Sequence, residues 1–505
     1  MHRMSRIVFA LAAIGFGSLA SAQQPSSPPA NSPASSPTYS AVRWNEDYSY
    51  LKDPARRADP LDGFKYIPLG DDSYLSLGGQ VRYRYEYFNN TGFGGGFEDN
   101  DGYHLIRVLA HADLHLTEHF RFFLQGKSAL IEDGGIGTNG APRLSDADEL
   151  DLQQAFADFI LRPSVPGDSL TFRVGRRELA YATQRVIGPS DWGNARRTFD
   201  GVKVSLVTGQ NTLDAFWVRP VDIEKEEFNN GDGRISFAGL FDTLVLPGLI
   251  APGDKRRVDT YALALNRTNA RFAQNAASSA AALDEDRYTI GARFSSAPKP
   301  FDFEIESAYQ FGQFGDGDIS AWMIATEAGF TIASQPFSPR LVVGFDYASG
   351  DRDPANPDLQ TYNQLFPTTH AFFGQADVIG RQNIIDAHGG VELQLLENAR
   401  YAKKLSLRAD QHFFWRADTS DALYATNAGA ASAPQSTGIS RAAGGSNRAY
   451  VGSELDLILS WQMDRHVSGY IGYSHFFADD FIEDTGGGIA DRDIDFLYAA
   501  LVYTF

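Results

Sequence analysis

Apolar and polar residues alternate with a period of two along most of the chain beyond residue 70. The stretch SYLSLGGQVRYRYEYF (73–88) places leucine, valine and tyrosine side chains on one face. The opposite face carries polar side chains, those of Gln80, Arg82, Arg84 and Glu86. Residues 405–415 and 450–461 repeat the pattern, so the chain is predicted to form many β-strands, each with one apolar and one polar face.

The predicted strands have the length and the aromatic ends of membrane-spanning strands. Most run for ten residues or more, whereas crossing a bilayer as a tilted strand takes about 9–11. In 450–461, Val451, Leu457 and Trp461 share the predicted lipid face, and Glu454 and Asp456 share the other. The chain ends in DIDFLYAALVYTF, an alternating strand with a final Phe505, which resembles the terminal strand of Gram-negative outer-membrane barrels.

Counting these segments predicts about eighteen strands. The links between them alternate in length: short links such as 117–118 and 209–210 are expected at the periplasmic end, and long links such as 350–387 and 416–447 at the outer end. An open sheet edge cannot be satisfied inside a bilayer, so the sheet must close. The predicted fold class is an all-β, transmembrane antiparallel β-barrel with an aqueous lumen.

The N-terminus has the pattern of an exported protein. Residues 1–22 combine a basic start, an apolar run and an Ala-Ser-Ala site, which predicts a cleaved signal peptide. Residues 23–40 are rich in proline and serine and are expected to be a disordered leader. Residues 41–505 are then the barrel, and the expected location is the Gram-negative outer membrane. No later apolar run is long enough for a transmembrane helix.

Composition removes several classes of function. The formal net charge is −19, and loss of Arg3 and Arg6 with the signal peptide leaves 42 basic against 63 acidic residues, a charge of −21. This balance argues against nucleic acid as a partner. The chain has no cysteine and so no disulfide framework. Outer-membrane lipid is an expected partner, no cofactor or metal is expected, and the protein is expected to act as a monomer.

One cationic stretch stands out in this acidic chain. It reads GRRELAYATQRVIGPSDWGNARRTFDGVKV, from Gly175 to Val204. With the residue two positions before it, the stretch supplies six arginines, namely Arg173, Arg176, Arg177, Arg185, Arg196 and Arg197. By strand parity, further cations are predicted to face the lumen from neighbouring strands, namely Arg82, Arg84, Arg121, Lys127 and Lys203.

This stretch resembles the signature of the alginate-export outer-membrane porin family. The shared pattern is a Gly-Arg-x-Glu-Leu strand end, an arginine about eight residues later, an Asp-Trp-x-Asn loop and an Arg-Thr-Phe-Asp-Gly return into the next strand. The resemblance implies an eighteen-stranded barrel whose arginine-lined constriction passes an anionic polyuronate, with periplasmic export machinery as a further partner. It also implies that the six arginines select the substrate and that Glu178, Asp191 and Asn194 hold them.

Other interpretations remain open. Lumen arginines can instead brace the barrel by pairing with acids such as Glu86, Asp113 and Asp214, in a porin for small solutes. An outer-membrane enzyme is a further class, but the neighbours Ser474 and His475 are predicted to point to opposite faces. His370 and His388 lack a nucleophile motif. His111, His115 and His119 recur every four residues, but His111 and His115 are expected to line the lumen rather than to bind metal with His119. The prediction is therefore a passive channel, not an enzyme.

Overall fold

In a computed structural model, the chain from Tyr39 to Phe505 forms one barrel with inserted loops. The structure describes residues 39–96, 102–135, 142–225, 227–247, 255–270, 272, 283–297, 299–426, 439–444, 446–488 and 491–505. The predicted signal peptide and almost all of the predicted leader lie outside these residues. The barrel strands are β1 (Tyr74–Asn89), β2 (Tyr103–His115), β3 (Phe120–Glu132), β4 (Asp148–Leu161), β5 (Ser169–Arg177), β6 (Phe199–Thr208), β7 (Asn211–Asp222), β8 (Ile235–Pro247), β9 (Lys255–Ala270), β10 (Leu283–Ser296), β11 (Phe301–Phe314), β12 (Gly317–Thr331), β13 (Arg340–Ala348), β14 (Ile384–Ala399), β15 (Ala402–Arg416), β16 (Tyr450–Gln462), β17 (Val467–Ala478) and β18 (Ile494–Thr504).

Every strand pairs antiparallel with its sequence neighbours, and the last strand pairs with the first. β18 lies against β1 in a register that opposes Val81 to Tyr503 and Glu86 to Tyr498. This pairing closes the sheet and leaves no exposed edge, which a bilayer requires. The predicted all-β, eighteen-stranded antiparallel barrel is confirmed.

The period of two separates a lipid face from an interior. In β1, Tyr83 is 44% exposed on the outside, whereas its neighbour Arg84 is fully buried inside. One predicted position is wrong: Val451 is buried inside the barrel rather than on the lipid face with Leu457. The cause is a bulge, because the partners of Trp415 and Phe414 are Tyr450 and Gly452, so Val451 is the extra residue and the alternation shifts there.

The two ends of the barrel differ in their links. Short turns such as 209–210, 400–401 and 463–466 form the end that corresponds to the periplasmic side of outer-membrane barrels. The other end carries the long loops, apart from the two-residue link 315–316. The helices are short, with α1 at Asp62–Lys65 and α2 at Asp480–Gly486. Among the described residues, none of the helices has the length and apolar character to cross a membrane.

Residues 39–66 precede the barrel and fold against the inside of its turn end. Arg43 donates from Nη1 to the carbonyl oxygen of Gly79 (2.9 Å) and from Nη2 to that of Phe505 (3.0 Å). Lys65 donates from Nζ to the carbonyl oxygen of Leu77 (2.9 Å). This N-terminal segment is therefore fastened to β1 and to the residue that follows β18.

Candidate channel lumen

Two long loops fold into the barrel and contact each other there. The first inserted loop is residues 178–198, between β5 and β6, and the second is residues 349–383, between β13 and β14. Phe366 donates its backbone N–H to Val186 and accepts a hydrogen bond from Gly188 on its carbonyl oxygen, so the loops pair as a short parallel bridge around Ile187. Apolar side chains of both loops pack with inward apolar side chains of the surrounding strands into one buried cluster inside the barrel.

Arginines of β1 and β2 hold the first inserted loop by its backbone. Arg82 donates to the carbonyl oxygens of Asp191 (2.8 Å), Trp192 (3.1 Å) and Gly193 (3.1 Å). Arg107 donates to two of the same oxygens, those of Asp191 (3.0 Å) and Gly193 (3.1 Å). Hydrogen bonds from charged donors contribute about 1.5–3 kcal/mol each. Arg107 was missed in the sequence analysis, although it shares the parity that places His111 inside.

Trp192 is the aromatic centre of this contact. The guanidinium of Arg84 lies 3.9 Å from its ring centroid and donates to its carbonyl oxygen at 2.5 Å. Arg84 also pairs with Glu86 at 2.6 Å. On its other side the indole stacks on His370 of the second inserted loop, with ring centroids 3.5 Å apart and planes at 9°. A cation, an indole and an imidazole thus tie β1 to both inserted loops.

The three residues predicted to hold the arginines lie inside this loop, with Glu178 and Asn194 buried and Asp191 half-exposed. Asp191 bridges Arg107 (2.8 Å) and Arg196 (3.0 Å), and Glu178 accepts a second bond from Arg196 (2.7 Å). Burial raises the pKa of Asp191, but the two guanidinium groups outweigh burial and hold that pKa well below its usual range. The Asp191 side chain remains 49% exposed, so it meets water inside the lumen.

Asn194 fixes the loop to three backbone positions at once. Its Nδ2 donates to the carbonyl oxygens of Ile106 (3.2 Å), Leu130 (3.0 Å) and Asp146 (3.0 Å). These oxygens belong to β2, to β3 and to the link that precedes β4. This one side chain therefore connects the loop to three different elements, in addition to the bonds from Arg82 and Arg107.

Most of the other predicted cations are paired with carboxylates. Arg173 makes a bidentate contact with Asp158 (2.7 and 2.7 Å) while its guanidinium lies 3.8 Å from the ring centroid of Trp44. Arg121 pairs with Asp113, Lys127 with Asp148, Arg176 with Asp200, Lys203 with Asp214, and Arg185 with Glu304 and Glu306, all at 2.6–2.9 Å. Salt bridges of this kind are typical of side chains that brace the barrel wall.

Arg177 and Arg197 differ, because their partners are neutral. Arg177 is fully buried and donates from Nη1 to the carbonyl oxygens of Gly175 and Gly201, both at 2.9 Å. These two glycines oppose each other at φ 126° and 152°, a conformation that turns their carbonyl groups toward the guanidinium. Arg197 donates to the carbonyl oxygens of Gly188 and Pro367, both at 3.0 Å, and burial lowers its pKa to about 10, so it stays charged at neutral pH.

At the turn end a cavity of about 540 Å³ lies against β10–β15. Its charges have both signs: Arg293, Lys299, Arg340 and Lys404 alternate with Asp302, Glu304, Glu327, Glu392 and Glu397. Glu304 also contacts Arg185 of the first inserted loop, so the cavity borders that loop.

Comparison with known proteins identifies the family. The family model described as alginate export matches residues 73–494. The chain belongs to the alginate export family. No curated protein matches the sequence significantly.

Solved outer-membrane proteins of Pseudomonas aeruginosa have a similar fold. OccK11 (OpdR) is 12% identical with a TM-score of 0.51, covering 87% of this chain and 99% of that one. OpdO is 10% identical with a TM-score of 0.52 (87% and 98%), and OpdK with vanillate is 8% identical with a TM-score of 0.51 (85% and 98%). Family membership and the porin-like barrel support an outer-membrane transport channel rather than an enzyme.

Proposed function

We propose that the protein is a passive channel for anionic saccharides or acidic solutes, which are attracted by guanidinium groups in its lumen. The observation that carries the proposal is the set of Arg82, Arg177 and Arg197. Among the described residues, none of the three has a carboxylate oxygen within 4.0 Å, and backbone carbonyl oxygens are their main partners. Their charge is therefore not cancelled at contact distance and contributes a positive potential to the lumen.

The chemistry of the group suits a carboxylate on a sugar. A guanidinium stays charged and offers paired N–H donors that match a carboxylate. Several weak sites in sequence let a charged chain move on instead of binding tightly. The family description names alginate, and we extend it to this chain as a proposal for an acidic polysaccharide or a smaller acidic solute.

A second candidate is a general or substrate-specific porin for small solutes in which the lumen arginines are mainly structural. It is favoured by the many carboxylate-paired cations and by the two inserted loops and the N-terminal segment, which fold into the barrel. The two candidates differ in which solutes can pass. An acidic monosaccharide should pass through either channel, whereas an oligouronate of several residues should enter only a polysaccharide channel.

The test is the zero-current potential of single channels in planar bilayers under a KCl gradient. The wild-type protein is expected to be anion-selective. The double variant Arg177→Gln with Arg197→Gln is expected to move the zero-current potential toward the equilibrium potential of K⁺. Arg162→Gln is the matched control, because Arg162 lies exposed in the turn between β4 and β5. An unchanged potential in the double variant would reject the proposed role of these arginines.

Blockade separates the two candidates. Oligouronates added to one side should interrupt the current of the wild-type channel, while a neutral oligosaccharide of equal length should not. Interruption by the oligouronate supports a polysaccharide channel. Passage of a monomeric uronate into liposomes without interruption by the oligomer supports the channel for small solutes.

A further inference from the structure

Strands β14 and β15 place two histidines side by side inside the barrel. His388 and His412 are direct partners in the antiparallel register, and their ring centroids are 4.9 Å apart. Asp386 lies two residues before His388 and therefore on the same face of β14. Its Oδ2 contacts Nδ1 of His388 at 2.8 Å and Nδ1 of His412 at 3.1 Å. One carboxylate thus contacts both imidazole rings.

The spacing of these atoms suits a metal ion. One ligand atom from each of the three residues lies within 4.8 Å of the others. Tetrahedral Zn²⁺ with bonds of about 2.1 Å holds its ligand atoms about 3.4 Å apart. The contacts of 2.8 and 3.1 Å are close to that spacing, so small rotations of the side chains are sufficient to admit an ion between them.

The surroundings favour a cation. Glu454 lies opposite His412 in the register with β16, and Asp456 lies opposite Asp410. Among the described residues, neither Glu454 nor Asp456 has a lysine or arginine nitrogen within 4.0 Å, and both are buried. Buried carboxylates without a cationic partner are costly, and a bound cation nearby lowers that cost.

A glycine makes room for one of the two rings. Gly344 of β13 is the register partner of His388, and a Cβ atom there would lie 2.0 Å from Nε2 of that histidine. The imidazole therefore lies directly over the backbone of β13, where any larger residue would displace it. This packing orients Nδ1 of His388 toward Asp386.

We propose that Asp386, His388 and His412 bind a divalent transition-metal ion such as Zn²⁺ in the wall of the lumen. Two imidazole nitrogens and one carboxylate oxygen form a set that transition metals prefer, whereas Ca²⁺ and Mg²⁺ prefer oxygen ligands alone. Three protein ligands leave a coordination position for water or an anionic ligand. The sequence analysis expected no metal, and the proposal is independent of the proposed transport function.

The test is isothermal titration calorimetry of metal-free purified protein in detergent, with ZnCl₂ as the ligand. We expect one Zn²⁺ per chain in this site, and binding weakened at least about 100-fold in His388→Gln and in His412→Gln. His475→Gln is the matched control, because His475 contacts Asp495 at 2.7 Å but has a single imidazole in its cluster. CaCl₂ should bind far more weakly than ZnCl₂.

Two further measurements keep the result decisive if a variant folds poorly. Heat-modifiable migration in gel electrophoresis reports whether the barrel of each variant is folded. Co²⁺ titration of the wild-type protein reports the ligand set through the visible absorption of the bound ion. Absence of Zn²⁺ binding by the wild-type protein overturns the proposal. So does equal affinity in the wild-type protein and in a folded variant that lacks both histidines.

Discussion

Replacing Asn194 by alanine is expected to loosen the first inserted loop without unfolding the barrel. The amide has two N–H groups, which are shared among the carbonyl oxygens of Ile106, Leu130 and Asp146. At about 1–1.5 kcal/mol for each buried hydrogen bond, the loop should lose about 2–3 kcal/mol of docking free energy. Because 1.4 kcal/mol is about tenfold in an equilibrium constant, the opened population should rise about 30-fold to 150-fold.

Hydrogen exchange measured by mass spectrometry reports this population directly. The backbone N–H of Ala195 donates to the carbonyl oxygen of Ser145 (2.8 Å), which lies outside the loop, so this amide exchanges when the loop opens. Its exchange rate should rise in Asn194→Ala by the same factor as the opened population, while amides in β14 and β15 stay unchanged.

The control is Asn230→Ala, which removes a single local hydrogen bond to the carbonyl oxygen of Phe228 (3.2 Å) on the exposed side of another loop. It should leave the exchange of residues 190–197 as in the wild-type protein. Exchange of Ala195 within twofold of wild type in Asn194→Ala would refute the assignment of Asn194 as a residue that fixes the loop.

Three further predictions concern the ends and the wall of the barrel. Trp44→Ala removes the ring beside Arg173 and should weaken docking of the N-terminal segment by about 1–2 kcal/mol, measured as faster proteolysis of residues 39–66. Burial lowers the pKa of Lys65 to about 7, so above that pH the folded state binds fewer protons than the unfolded state. Docking of the N-terminal segment should therefore strengthen from pH 7 toward pH 10. Lys65→Met should flatten this pH dependence in the same proteolysis assay, with denatured protein as the control. Gly201→Ala places a Cβ atom 2.2 Å from the carbonyl oxygen of Trp217 at a φ of 152° and should cost about 1–3 kcal/mol in urea unfolding.

The barrel itself follows from local patterns. Alternation identifies each strand because one face meets lipid, and the asymmetry of the links sets the direction of each strand. Strand ends are less predictable: β5 ends at Arg177, and the apolar Leu179 that follows is buried as part of the inserted loop. β14 begins at Ile384, several residues before the first clear alternation at His388. Contacts from distant loops decide both ends.

The interior was predictable only in part. Parity identified several inward cations, though not Arg107, and it did not identify which oxygens they meet, because those partners are distant in sequence. Arg82 contacts Asp191 across 109 positions, and Arg185 contacts Glu304 across 119. The pairing of His388 with His412 likewise depends on the register of β14 and β15. A pattern of period two does not fix that register, because sliding one strand by two residues keeps every side chain on the same face.

The partner of each arginine, rather than its inward position, decides whether bracing or selectivity is its main role. Arg173 and Asp158 form a closed pair, so Arg173→Gln with Asp158→Asn leaves the net charge of the lumen unchanged, whereas Arg177→Gln has no contacting carboxylate to remove with it. We therefore expect the double variant to keep the wild-type zero-current potential. Arg173→Gln alone should lose up to about 3–5 kcal/mol of stability, because the salt bridge left to the buried Asp158 is the longer one to Arg121 (4.0 Å), and the second substitution should recover most of that loss. If Arg173→Gln with Asp158→Asn shifts the potential as far as Arg177→Gln does, then Arg173 itself attracts the solute. Pairing with a carboxylate would then not cancel the effect of a lumen guanidinium on ion selectivity.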